Sequence, residues 1–472
     1  MRDKKSFYMP VGRLTGLLIA LLLFTGMAAD AAADPGQPVI PDVWTPENAV
    51  SFALENNPDT GIAARRMEAA RASIREARSS FLPSLDLALS YQRTDTPMYS
   101  FGNILNQGEF DNSIDFNDPG PSDNLQMNAT IRYRVYNGGR DRAGIAAAEA
   151  AEAATQSDME AVRSRLAFSV VQALYTIVQA DDTLQSRKAA LEAITASVQV
   201  ARARHEAGDL LKADLLNLEV LLSEARENLI QARHGADLAR RAFLTLLGLE
   251  EGPVTIAADC ATDQLVPDTL TFDKRPELKR LEAAIQEAEA RLLQARGGFL
   301  PTADLFAGYQ VDKGFEFDGS GDSYLAGVKL NFNLYEGRRT EARVAAARAR
   351  LAELLEQKRK LQLAIRLEVE RAKLALDEAR QRLLVTDKMV EQAKESAALS
   401  RERFLEGLIL SSELIDVENR LISAQVRRTM ARAAARIAVA DLRRAVGLSQ
   451  FPDSGPVSRD NSVTHSSSQE KP

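Results

Sequence analysis

An internal duplication restricts the fold of this chain more than any other feature of its sequence. Eight residues in 58–92 recur in the same order 218 positions later, in 276–310, and seven residues in 136–248 recur 199 positions later. The two offsets differ by 19 residues, and this difference falls in 93–124, where the first copy has a longer loop. Two long copies predict a tandem repeat of one supersecondary unit, because a solenoid needs three or more short units.

Each copy contains a pair of segments in which apolar and polar side chains alternate with period two. The apolar positions are Leu85, Leu87, Leu89 and Tyr91, then Leu125, Met127, Ala129, Ile131, Tyr133 and Val135 in the first copy, and Ala303, Leu305, Ala307 and Tyr309, then Ala326, Val328, Leu330, Phe332 and Leu334 in the second. Tilted strands of about 10–12 residues cover about 25 Å, the height of an outer-membrane apolar band. A soluble β-sandwich is the alternative, but it usually has more than four strands. We therefore predict membrane-spanning strands with polar extracellular hairpin loops.

Very long helices are predicted after each strand pair. Residues 140–205 contain no proline, and as one helix they would extend about 100 Å, which a compact domain cannot contain. Apolar side chains recur every seven residues at Val170, Ile177, Leu184, Leu191 and Val198, and at Val369, Leu376, Leu383, Val390 and Ala397. A returning helix follows in each copy, with its apolar and alanine positions alternately three and four apart. The pattern predicts coiled-coil hairpins, although an ordinary two-helix hairpin packed on itself is the alternative.

Four strands in a bilayer leave two open edges, whose backbone groups have no partner in lipid. The sheet must therefore close with further copies of the same chain. Two copies would supply 8 strands, three 12 and four 16; since 8-stranded barrels are filled by side chains, a conducting tube needs at least three chains. The predicted fold class is mainly α with β, a β-barrel continued by an α-helical barrel.

Composition and motifs indicate no catalytic chemistry. Cys260 is the only cysteine, and the three histidines, His205, His234 and His465, lie far apart. No phosphate-binding loop, nucleophile elbow or zinc motif is present, so neither an enzyme, a cofactor nor a metal site is predicted. The net charge of −7 gives no reason to expect nucleic acid.

The amino terminus has the layout of a secretory signal peptide. Residues 1–33 contain basic residues, then an apolar run, then small residues ending at Ala33. An uncleaved membrane anchor is the alternative, but the apolar run is short for a membrane span. No later stretch contains 18 consecutive apolar residues, so we expect entry into a membrane only as strands.

Several phrases of the sequence resemble the TolC family of outer-membrane efflux proteins. They are residues 53–58 (ALENNP), the Phe-Leu-Pro turns at 81–83 and 299–301, residues 136–140 and 335–339, residues 275–278 (RPEL), and the turns at Gly208 and Gly407. The resemblance covers residues 44–447. It implies a homotrimer with a twelve-stranded barrel in the outer membrane and a helical barrel in the periplasm. It also implies export of drugs, metals or proteins with a periplasmic adaptor (membrane fusion) protein and an inner-membrane pump.

The turns between the long helices lie farthest from the strands and are the predicted adaptor contacts, at Gly208, Gly407 and Ser411. Either Ser411 or Ser412 is expected to cap the returning helix of the second copy. Because an adaptor would reach the channel from the periplasm, it would meet these turns first.

Acidic residues follow each turn and form a candidate periplasmic gate. Asp214 lies in the first copy, and Glu413 and Asp416 lie three residues apart in the second, so a threefold tube would carry rings of carboxylates. The resemblance implies a constriction at Glu413 and Asp416, and a role of Asp214 in holding the tip closed. Stabilisation of the helix start is the alternative. Ile409 and Phe404 stand where the family can have an arginine and a tyrosine, which argues against an ion-paired lock.

These observations predict the outer-membrane channel of a tripartite efflux or type I secretion system, a passive exit duct. The predicted organisation is a signal peptide (1–33), a first repeat (44–248), an equatorial linker (249–275), a second repeat (276–447) and a disordered tail (448–472). The alternative function is a periplasmic adaptor or a structural coiled-coil protein. An adaptor usually has one hairpin and soluble β domains, whereas this chain has two hairpins and two amphipathic strand pairs.

Overall fold

A computed structural model describes residues 40–257, 266–267 and 270–451. In chain order the elements are α1 (Pro46–Asn56), α2 (Pro58–Ser79), β1 (Ser84–Thr94), α3 (Pro97–Asn106), β2 (Ser122–Tyr136), α4 (Arg140–Glu206), α5 (Lys212–Leu247), α6 (Pro276–Arg296), a 3₁₀ turn (Gly297–Phe299), β3 (Thr302–Lys313), β4 (Ser320–Asn331), α7 (Arg339–Leu405) and α8 (Ser411–Ala445). The predicted signal peptide, Cys260, His465 and most of the predicted tail lie outside the described residues.

The first helix of the first copy begins with a capping box. Thr45 accepts a hydrogen bond from the backbone of Asn48, whose side chain accepts one from the backbone of Thr45. This capping box precedes Pro46 at the first helical position. The helix is broken at Asn57 (ψ 133°), because Pro58 disfavours the helical conformation in the residue before it. The α2 helix then runs on toward Phe81.

The four strands form one antiparallel sheet in the order β1-β2-β3-β4, which confirms both predicted strand pairs. The register keeps the two faces distinct. One row across the sheet contains Leu87, Ala129, Tyr309 and Tyr324, whereas another row, on the opposite face, contains Ser90, Gln126, Asp312 and Gly321. Period-two alternation thus gives an apolar face and a polar face. The β4 prediction is too long at its end, because the strand stops at Asn331 and does not include Phe332 or Leu334.

The long helices form two hairpins, α4 with α5 and α7 with α8. Each of α4 and α7 has 67 residues without interruption, as the absence of proline predicts. Most heptad positions lie in the interior: Val170 and Ile177 are fully buried, and Val369, Leu376 and Val390 are each under 5% exposed, whereas Leu184, Leu191 and Leu383 are half-buried. In the described part of the chain, no helix combines the length and the apolar character needed to cross a membrane.

The returning helices end at a joint that is repeated in both copies. The side chain of Asn57 donates to the carbonyl of Leu246 at 2.8 Å, at the end of α5. In the second copy, Arg275 occupies the matching place before a proline and donates to the carbonyl of Ala445 at 3.0 Å, at the end of α8. The last four carbonyls of a helix have no hydrogen-bond partner within the helix. At each joint, one side chain donates a hydrogen bond to one of them.

Residues 249–257 of the linker pack against the first copy, whereas Val266, Leu270 and Phe272 pack against the core of the second copy. Ile256 forms a parallel bridge with Trp44, and the buried Trp44 ring makes edge-on contacts with Phe52 and Phe243. At the other end of the chain, the side chain of Gln450 donates to the carbonyl of Ala440 at 2.9 Å. The backbone carbonyl of Ser449 also accepts a hydrogen bond from Arg443 of α8 at 2.8 Å, so residues 448–451, at the start of the tail that was predicted to be disordered, pack against α8.

Candidate gate at the hairpin tips

Both predicted tips are tight turns built around a glycine. Gly208 and Gly407 have φ angles of 87° and 77°, a conformation that glycine adopts without strain. The next backbone N–H in each turn reaches back to the helix, from Asp209 to the carbonyl of Arg204 at 2.8 Å and from Leu408 to that of Arg403 at 2.9 Å. These bonds end the long helices in the usual left-handed cap. Both glycines are exposed to solvent.

The two tips contact each other through Arg204. Its Nη1 donates to the carbonyl of Phe404 at 2.8 Å, and its guanidinium lies 5.5 Å from the centre of the Phe404 ring. Phe404 is 2% exposed and packs in a core with Leu218 and Leu414 from the two returning helices. A tyrosine hydroxyl at position 404 would therefore be buried, whereas the phenylalanine ring offers its face to the cation.

A second contact between the hairpins joins Ser411 to Asp214. The Ser411 hydroxyl donates to Asp214 Oδ1 at 2.6 Å, and Ser411 is 1% exposed. The prediction that Ser411 or Ser412 caps α8 is wrong: the cap position is Leu410, and no side chain caps the helix there. Because Ser411 lies one residue inside the helix, its hydroxyl points to the neighbouring hairpin. It is not accessible to an adaptor in this arrangement.

The other two candidate gate residues lie on the exposed side of α8. Asp416 pairs with Arg420, four residues on, at 2.5 Å, and both line a groove between α7 and α8 that also contains Met389 and Arg427. Glu413 is exposed one turn earlier. The structure thus brings Asp214 to Ser411 but leaves Glu413 and Asp416 apart from that contact. An exposed ion pair contributes little to stability, yet Arg420 offsets the charge of Asp416.

Sequence reasoning missed three arginines that organise the tips. Arg420 could have been found from its four-residue spacing to Asp416. Arg401 binds the buried Glu418 through two nitrogens, Nε at 2.5 Å and Nη2 at 2.8 Å, and these hydrogen bonds raise the pKa of Arg401. The same pair occurs 199 positions earlier between Arg202 and Glu219 at 2.7 Å, so the duplication itself was the signal. Arg204 left no such signal, because its partner lies in the other copy.

A four-stranded sheet with one apolar face, joined to two long helical hairpins, defines a subunit of the outer-membrane channel class. The model of a family described as outer membrane efflux protein matches residues 49–249 and 270–448. The chain belongs to this family of channel proteins. The predictions of its fold class, of an outer-membrane efflux channel and of a location in the outer membrane and periplasm are confirmed.

Individual relatives are distant but match over most of their length. The chain is 26% identical to Protein CyaE of Bordetella pertussis over 69% of this chain and 68% of that protein. It is 24% identical to the pyoverdine export outer membrane protein OpmQ of Pseudomonas aeruginosa over 85% and 83%. Among solved structures, it is similar in fold to the outer membrane protein VceC of Vibrio cholerae (TM-score 0.72, 19% identity, 86% and 97% covered) and to the CmeC outer membrane channel of Campylobacter jejuni (TM-score 0.74, 17% identity, 87% of each chain covered).

Proposed function

We propose that three copies of this chain form a passive exit duct, through which an inner-membrane pump and a periplasmic adaptor export cargo. The observation that carries this proposal is the sheet: one face is apolar across all four strands, and the outer edges of β1 and β4 have no strand partner within the described chain. In lipid these edges require partners, and a ring of three copies provides them while leaving an open bore. The duct supplies a passage and no catalytic chemistry.

Within this duct, each repeat supplies one strand pair and one hairpin. The two repeats are residues 44–248 and 276–447. Residues 249–275 connect them close to the two joints, where Asn57 and Arg275 bind the ends of α5 and α8. The exposed turns at Gly208 and Gly407 are the surface offered to an adaptor. The alternative function is a periplasmic adaptor or a structural coiled coil. Such a protein would expose to water an apolar sheet face that continues over both repeats, which is unfavourable.

We further propose that the tips close the duct. The contacts of Arg204 with Phe404 and of Ser411 with Asp214 hold the two hairpins of one chain together without an ion pair. Glu413 and Asp416 then face the narrowed bore, where Arg420 reduces the negative charge of the Asp416 ring. Opening would separate the hairpins and break both contacts.

Removing both acidic side chains tests this gate. We expect the double variant Glu413→Ala, Asp416→Ala to form larger single-channel conductance steps in a planar lipid bilayer, by several-fold, and to select less for cations. Smaller side chains widen the constriction, and loss of carboxylates removes the charge that attracts cations. The measurement is the conductance and the reversal potential in a salt gradient.

The matched control is Glu402→Ala, Glu406→Ala, which removes the same charge from the exposed end of α7. The control should conduct like the native protein. Equal conductance of all three proteins would remove the gate proposal. A further variant, Arg204→Ala, Ser411→Ala, lacks both tip contacts. If neither the native protein nor this variant formed conductance steps, the duct itself would be contradicted.

A further inference from the structure

The long loop of the first copy contains a helix that the sequence analysis did not predict. This helix, α3, buries one side formed by Ser100, Asn103, Ile104 and Gln107, each 5% exposed or less. The buried side is held by hydrogen bonds: Ser100 donates to the carbonyl of Gly120 at 2.5 Å, and Asn103 donates to Ser122 at 3.0 Å. The loop is therefore a packed element at the end of the sheet opposite the helical hairpins.

Its contacts place α3 on the polar face of the sheet. Gln107 Nε2 donates to Asn124 Oδ1 at 3.2 Å, and Asn124 in turn donates to Asp312 at 2.6 Å. Asp312 belongs to the polar row of the sheet and pairs with Gly321 of β4. A Cβ at Gly321 would collide with the carbonyl oxygen of Asn106, the last residue of α3. The end of α3 thus rests directly on this face.

The other side of α3 is apolar and exposed. Met98 is 82% exposed, Tyr99 66% and Leu105 48%, and Met98 and Leu105 lie two turns apart on the same side of the helix. This arrangement is the reverse of an ordinary surface helix, which buries its apolar side and exposes its polar side. An apolar surface of this kind indicates a contact with another molecule.

We propose that α3 is an extracellular lid, and that its apolar side contacts the same side of α3 in the neighbouring copies. This proposal rests on the proposed function, because a ring of three chains turns the apolar face of the sheet to lipid and the polar face to the bore. Twelve tilted strands enclose a bore about 24 Å wide between backbones, and a helix with side chains is about 10 Å wide. Three lid helices on the inner wall therefore meet near the axis.

Such a lid narrows the mouth and partly excludes water from it. A ring of Met98, Tyr99 and Leu105 side chains is an apolar constriction, which lowers ion conductance by partial dewetting. The lid also has a weak point, since Gln107 Oε1 is the one buried side-chain oxygen or nitrogen in the described part of the chain without a hydrogen-bond partner. An unpaired buried acceptor makes the closed position less stable, which favours lifting of the helix when cargo passes.

Cysteine crosslinking tests the contact. In a Cys260→Ser background, Met98→Cys in the full-length protein should form disulfide-linked pairs of chains in the outer membrane after mild oxidation. The control is Tyr324→Cys, which is equally exposed at 85% but lies on the apolar face and should not crosslink. A second variant, Gln107→Ala, removes two hydrogen bonds of α3 and should raise single-channel conductance at least two-fold.

The outcomes separate this proposal from the proposed function. Trimers with crosslinked Met98→Cys and a raised conductance of Gln107→Ala support the lid. If trimers form but Met98→Cys crosslinks no better than Tyr324→Cys, the lid is overturned and the duct remains. An unchanged conductance of Gln107→Ala would overturn the lid in the same way. Absence of trimers overturns both.

Discussion

Replacing Leu89 with arginine is expected to abolish assembly in the outer membrane. Leu89 lies in the middle of β1, pairs with Met127 and is 70% exposed on the apolar face. An arginine on the lipid face near the middle of a bilayer costs about 2–4 kcal/mol, and a ring of three chains would bear this cost three times. The trimer band from outer-membrane fractions should fall at least ten-fold, as measured by native electrophoresis of detergent extracts.

Ser90→Arg is the matched control for this experiment. Ser90 follows Leu89 in the same strand, is exposed as well, and lies on the polar face opposite Gln126. An arginine there points into a water-filled bore and should leave the trimer in the membrane. If both variants assembled equally well, or if both failed, the assignment of the two faces would be wrong.

The second large effect is expected at the joint of the second copy. The Arg275 side chain is 6% exposed and pairs with Glu277 and Glu368, each at 3.0 Å. We expect Arg275→Ala to lower the free energy of unfolding by about 2–3 kcal/mol. This loss is below the roughly 3–5 kcal/mol for fully buried pairs, because both glutamates keep some water and Glu368 also pairs with Arg444 at 2.7 Å.

The urea midpoint of the helical circular dichroism signal of the solubilised protein would measure this loss. Lys274→Ala removes a neighbouring charge that is exposed and should leave the midpoint unchanged. Asn57→Ala makes the equivalent change at the first joint and should cost less, since it removes no charge from a buried ion pair. A midpoint of Arg275→Ala equal to that of Lys274→Ala would show that the joint does not depend on this arginine.

Much of the fold could be predicted because its elements are long and periodic. A 67-residue helix repeats its heptad many times, so Val170, Ile177 and Val198 were recognised as interior positions from spacing alone. Apolar and polar side chains alternate along each strand over ten or more residues. This alternation defined both faces of the sheet before the strand register was known. The duplication strengthened each prediction, because it presented the same pattern twice.

The parts of the fold that could not be predicted depend on contacts between the two repeats of one chain, or consist of short segments. The α3 helix has ten residues, too few for periodicity to separate it from a polar loop. The hydrogen bond between Ser411 and Asp214 joins residues 197 positions apart. From the neighbouring residues alone, Ser411 was predicted to cap the helix. This contact could not be inferred from spacing, because it is decided by how the two hairpins pack side by side.

The number of chains in the extracted channel tests the central claim most directly. Native mass spectrometry of the protein released from the outer membrane by mild detergent should record an assembly of three identical chains. The account requires a closed ring of at least three chains, because only such a ring gives the outer edges of β1 and β4 strand partners in lipid while keeping a bore open. A stable single chain, released without detergent, would contradict it.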